Sequence, residues 1–208
     1  MKKYYIVLAT LLFGSVAFSQ SVELYAGDKR FGSDVMWFKN FKNHQQENTP
    51  FLFFSRNRAS SDYDNKLGSF GSTNAVSYNF KNGLGIVTVG SFLNSGFTPK
   101  AGIQFVKTKG DFMFFGWSVI DLKSNPNVDV FGLFRYQTKL SEQWNLFSQA
   151  ELFPIYNFKN ESWNITERLR LGVKKNKTVF GLMMDFNQLG ITTFKTTENT
   201  GAFVRYEF

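Results

Sequence analysis

The sequence predicts an all-β chain: an antiparallel, up-and-down transmembrane β-barrel of about twelve strands, with ten as the alternative count. Three observations predict it. Apolar and polar residues alternate with period two along most of the chain, and turn residues separate the alternating segments. Aromatic residues reach 18%, with Phe alone counting 26, yet mean hydropathy is only −0.23. A sheet with one face in lipid and one in water accounts for both numbers. Finally, no stretch approaches the roughly 20 apolar residues of a membrane-spanning helix.

Residues 1–19 read as a secretory signal peptide. Lys2 and Lys3 precede an apolar run from Tyr4 to Phe13, and Ala17-Phe18-Ser19 places cleavage before Gln20. Residues 20–208 then form one domain. The twelve segments are 21–26, 32–41, 51–58, 70–80, 84–93, 98–108, 111–122, 128–139, 143–152, 162–173, 178–188 and 200–208. Most have the roughly 9–11 residues that a tilted spanning strand needs. The first is short, which is why ten strands remain the alternative.

Turn chemistry punctuates these segments. Asn82-Gly83 is a strong short hairpin signal, and Lys109-Gly110 and Lys175-Asn176 supply residues that tolerate positive φ. Alternate connections should lie on the same side of the membrane. The short turns at 82–83, 109–110, 141–142 and 175–176 share one side, and the long connections 59–69, 153–161 and 189–199 share the other. The segment 42–50 breaks the pattern, being long on the short side. An even strand count returns Gln20 to the side of Phe208.

The hairpins assign faces. Tyr78, Phe80, Val87 and Val89 read as lipid-facing, as do Ile103, Phe105, Phe114 and Gly116. Leu169, Leu171 and Val173 sit beside Phe180, Leu182 and Met184 on the same outer surface. Glu167 falls there too, a defect that headgroup depth or a bulge would explain. Trp144, Trp163, Tyr206 and Phe208 suit aromatic girdles at headgroup level.

The opposite face carries the polar set: Arg56, Arg58, Lys100, Gln104, Arg135, Gln149, Glu151, Arg168, Arg170 and Asp185. Arg168 should approach Asp185, and Arg135 should approach Gln149 and Glu151. Two readings follow: a salt-bridged plug, or a basic stripe that attracts anions. Inward Met113, Phe115 and Trp117 favour constriction over a wide pore.

Catalytic and metal chemistry find little support. The chain has no cysteine, which excludes disulfides, thiolate ligands and a lipid-anchored cysteine. His44 is the single histidine and sits in an irregular stretch, so no serine gains a base. Asp62-Tyr63-Asp64-Asn65 lacks the Gly and distal Glu of a calcium loop. The expectation is no enzyme and no cofactor. The net charge of +8 would hint at nucleic acid in a cytosolic chain, but export argues against that partner.

The final run alternates Ala202, Val204, Tyr206 and Phe208 against Gly201, Phe203, Arg205 and Glu207. With the signal and the segment pattern, it resembles the small outer-membrane β-barrels of Gram-negative bacteria across residues 20–208. The signal ending Phe18-Ser19-Gln20 and abundant Phe, Lys and Asn resemble Bacteroidota sequences. The resemblance implies an outer-membrane location, contact with lipid and lipopolysaccharide, and recognition of the C-terminal strand by the barrel-assembly machinery. Twelve-stranded barrels of this kind include nucleoside-type channels, sialic-acid and oligogalacturonate porins, and a histidine-dependent phospholipase. The functional expectation is a passive channel or binding barrel for small polar solutes, with a preference for anions. A plugged structural or surface-interaction barrel is one alternative, and a soluble periplasmic barrel binding an apolar ligand is another.

Overall fold

The computed structural model describes residues 20–64 and 68–208, so the segment read as a signal peptide lies outside the described residues. Twelve strands run antiparallel: β1 (Gln20–Gly27), β2 (Arg30–Lys42), β3 (Asn48–Asp62), β4 (Ser69–Asn79), β5 (Leu84–Leu93) and β6 (Gly96–Lys109). There follow β7 (Phe112–Asp121), β8 (Asn127–Lys139), β9 (Trp144–Asn157), β10 (Ser162–Lys175), β11 (Thr178–Gly190) and β12 (Phe194–Glu207). Each pairs with its sequence neighbours, and β1 pairs with β12 to close the barrel. Closure leaves no strand edge unpaired. The Phe208 N–H donates to the Gln20 carbonyl at 3.0 Å, so both described chain ends meet at one end, here the turn end.

The outer face is apolar around much of the circumference. Leu24, Ile86, Ile103, Leu152, Leu171 and Leu182 are all exposed large apolar side chains pointing outward. This is the inverse of what a soluble barrel requires, since monomeric soluble proteins rarely expose a continuous apolar surface of that extent. Trp144, Trp163, Tyr206 and Phe208 lie at strand ends, with Lys175 Nζ placed 5.2 Å from the Trp144 ring centroid. Glu167 stays on the outer face opposite Leu152 and Phe186. No bulge interrupts the β10–β11 register there, so a flipped face does not account for it.

Three hairpins differ from the sequence reading; the β10–β11 turn falls at Asn176-Lys177, which moves its pairing by two residues and keeps its faces. Phe80 and Leu84 pair across a three-residue loop whose last member, Gly83, has φ +91°. A three-residue loop closed by a left-handed glycine shifts the register by one residue, and a one-residue slip exchanges the two faces of the following strand. So Val87 and Val89, expected outside, are buried at 3% and 4% exposure, while Ile86 is 60% exposed. The β6–β7 turn falls at Gly110-Asp111, and Phe105 pairs with Gly116 rather than Phe114. That shift is two residues and leaves the faces unchanged.

The long connections expected at 153–161 and 189–199 are mostly strand. β9 runs on to Asn157, and β12 begins at Phe194. The Phe194–Thr200 segment carries polar side chains on both faces and so no alternation, yet pairing with β11 satisfies its backbone. The segment expected at 42–50 shrinks to a turn at 43–47, preceded by a register shift between Asn40 and Lys42. In the β1–β2 connection, the Thr200 N–H donates to Asp28 at 2.8 Å and holds that carboxyl below its usual range.

Candidate functional site

Alternation sends two kinds of side chain inward, and they segregate. An aromatic and aliphatic sector spans β2 to β8, with Phe38, Phe54, Phe115, Trp117, Phe131 and Leu133 at its centre. Phe54 of β3 stacks on Phe115 of β7, with centroids 5.2 Å apart and planes at 24°. Phe38 of β2 meets the same ring edge-on at 4.9 Å. These contacts are chords across the interior.

A charged sector fills the rest. Arg56 of β3 is its crossbar. Its Nε donates to Asp34 Oδ1 at 3.0 Å, and its Nη2 to Asp34 Oδ2 at 2.6 Å. Its Nη1 and Nη2 each donate to a Glu151 oxygen at 2.9 Å. β3 and β9 stand opposite each other in the ring of twelve, so this guanidinium spans the full width of the barrel. Arg170 bonds Glu23 at 2.8 Å and Asp185 at 2.6 Å. Arg205 bonds Glu23 at 2.5 Å and Gln149 at 2.8 Å. Arg135 donates twice to Gln149 Oε1, at 3.0 and 2.8 Å, and lies 3.5 Å from Glu207. Lys174 pairs with Glu207 near the turn end. Planar, bidentate guanidinium suits such bridges, because its fork matches a carboxylate.

Gln104 donates to Ser77 at 2.7 Å and Asn79 at 3.1 Å, away from the ion network. Lys100 forms its own cluster with Asp121 at 2.8 Å and Asp129 at 2.5 Å. Arg168 stands directly opposite Asp185 rather than diagonal to it, and contacts Glu151 at 3.5 Å and Asp185 at 3.9 Å. Arg58 lies 3.2 Å from Asp34. Glu23, Asp34, Arg205, Asp121 and Asp129 are central here but absent from the sequence-derived lining set. Glu23 and Arg205 meet only across the β1–β12 seam, which strand-by-strand reading does not reveal.

Both sectors contribute side chains that are almost wholly buried in the interior. Phe54, Gln104, Phe115, Leu133, Phe147, Val179 and Met183 are each at most 2% exposed and come from around the ring. Toward the loop end, a cavity of about 410 Å³ remains. Trp117, Phe131 and Phe153 form an aromatic wall, and Arg30, Arg58, Lys100, Arg168, Asn164 and Asn187 line it together with the acids Asp129 and Asp185. Two donors there are buried without a hydrogen-bond partner among the described residues: Arg58 Nη1 and Arg168 Nε. Of the charged side chains that line the cavity, Arg30, Arg56, Arg58, Lys100 and Arg168 outnumber Asp129 and Asp185. Arranged in this way, the vestibule can accept an anion through two guanidinium groups while offering an aromatic surface for an apolar ring face. His44 sits on the 43–47 turn, at the opposite end of the barrel.

No family model matches the sequence, and no curated protein does. Solved structures match in fold. A KdgM porin in complex with disordered oligogalacturonate aligns at 15% identity and TM-score 0.52, over 92% of this chain and 99% of that one. A NanC porin aligns at 10% identity and TM-score 0.52, over 92% of this chain and 100% of that one. At such identities the similarity establishes a shared fold, the closed twelve-stranded antiparallel barrel.

Proposed function

We propose that the protein is an integral outer-membrane barrel that receives a small anionic solute in a vestibule facing outward from the cell. Residues 1–19 serve as its export signal, and the C-terminal strand ending at Phe208 is read by the assembly machinery. The apolar outer band and the porin-like fold support membrane residence. In outer-membrane barrels the short turns are periplasmic, so the chain ends lie inside and the vestibule opens outside.

One observation carries the solute class: Arg58 and Arg168 line the cavity, and each keeps a buried donor that makes no hydrogen bond among the described residues. A buried N–H without an acceptor is costly, and a ligand carboxylate would relieve both. Trp117 gives the test an intrinsic probe. Galacturonate and galactose differ at one carboxylate, and both are titrated into folded protein in detergent. Galacturonate should quench the Trp117 emission saturably, and Arg58→Gln with Arg168→Gln should abolish the effect. An equal response to galactose, or none to galacturonate, contradicts the proposal.

The packed interior favours a second reading, a plugged barrel whose loops make the contacts. On that reading neither sugar produces saturable quenching.

A further inference from the structure

The outer face of β3 and β4 carries a polar square at mid-height in the apolar band. Its corners are Ser55 and Asn57 on β3 and Ser72 and Asn74 on β4. Ser55 pairs with Asn74, and Asn57 pairs with Ser72. These residues share parity with outward Phe51 and Tyr78 below and Phe70 above, all exposed rings. The square therefore lies between the aromatic levels, where a membrane is hydrocarbon. This placement rests on the outer-membrane reading given above.

The hydrogen bonding of the square is half complete. Asn57 Nδ2 donates to Ser55 Oγ at 3.3 Å, and Asn74 Nδ2 donates to Ser72 Oγ at 3.2 Å. Among the described residues no donor reaches either carboxamide oxygen. In hydrocarbon no water supplies one, and an unmet amide oxygen there is costly. Ala59, outward on β3 and paired with Phe70, is a small neighbour at the edge of the square.

We infer that this face is a two-fold interface between two copies of the chain in the membrane. The geometry selects the partner. Ser-x-Asn on one strand opposes Ser-x-Asn on its antiparallel neighbour, so Asn occupies one diagonal of the square and Ser the other. A two-fold axis along the membrane normal through its centre returns a polar side chain to every polar side chain. Carboxamides and hydroxyls each carry both donor and acceptor, so the surface complements itself. Isologous contact of this kind is the commonest oligomer symmetry. A lipid tail supplies neither donor nor acceptor.

The absence of cysteine gives a clean background for cross-linking. Ser72→Cys is placed in the square, and Leu182→Cys on exposed β11 serves as the control. Oxidation in isolated outer membranes should convert the first variant to a covalent homodimer and leave the second monomeric. Asn57→Leu combined with Asn74→Leu should lose the dimer in mild detergent and still show heat-modifiable migration, the sign of a folded barrel. The inference is overturned if Ser72→Cys dimerises no more than Leu182→Cys, if the double leucine variant stays dimeric, or if Ser72→Cys is trapped on a protein of different mass. Loss of membrane association by every variant and by the parent chain would instead strike the outer-membrane reading, and the dimer with it.

Discussion

Replacing Arg56 with Ala removes the crossbar between opposite walls. Five charge-assisted hydrogen bonds go with it, at 2.6–3.1 Å, from a side chain 8% exposed. Breaking a buried ion pair by deleting one partner costs roughly 3–5 kcal/mol, because the remaining charge is left in a poorly solvated site. Here each acid keeps some support. Asp34 retains Arg58 at 3.2 Å, and Glu151 retains Gln149 at 2.7 Å and Arg168 at 3.5 Å. The lower end of the range applies, about 3 kcal/mol, or roughly 150-fold in the folding constant. Urea unfolding in detergent, followed by tryptophan emission, measures it. Arg56→Met should cost about as much, since it restores bulk but not charge. Changes below about 1 kcal/mol, the value of a solvated surface pair, would refute a dry interior at this level.

Three further outcomes are expected. Leu169→Arg puts a cation on the outer face beside the tolerated inward Arg170, and should destabilise the barrel by about 2 kcal/mol in lipid vesicles, with little effect if that face is wet. Gly83→Ala places a Cβ 2.5 Å from the Val106 carbonyl oxygen at φ +91°, and should lower stability by about 2 kcal/mol in the same urea assay. Galacturonate quenching should weaken steadily as salt is raised, because the vestibule is open to solvent and screening acts within roughly 10 Å at 0.1 M; salt-independent binding would contradict an ionic contact there.

Much of the barrel was legible because its physics is local. Alternation within each strand placed Arg56, Arg135 and Arg170 on one face and Leu169 and Leu171 on the other. The β10–β11 turn was legible only to within one residue: it falls at Asn176-Lys177 rather than Lys175-Asn176, which keeps the faces but moves each pairing by two residues. What escaped depends on distant strands or on one dihedral angle. The sequence around Asn82-Gly83 fits a two-residue or a three-residue loop, and Gly83 at positive φ decides between them, moving Val87 inward and Ile86 outward. The Glu23–Arg205 pair needs the seam closed before it exists. The crossing of Phe54 to Phe115 depends on barrel width, which no single strand encodes. At the loop end, the Phe194–Thr200 stretch has polar side chains on both faces, so its strand character rests on backbone pairing and leaves no periodic trace.

The central claim is that the interior is crossed by packed rings and ion pairs beneath a blind vestibule, while the apolar face meets lipid. Planar-bilayer recording of the folded parent protein tests it most directly, with heat-modifiable migration verifying insertion-competent material. Silent membranes are the expected result, with conductance steps emerging once Arg56→Ala and Phe115→Ala are combined. A steady ohmic conductance from the unaltered chain would contradict it.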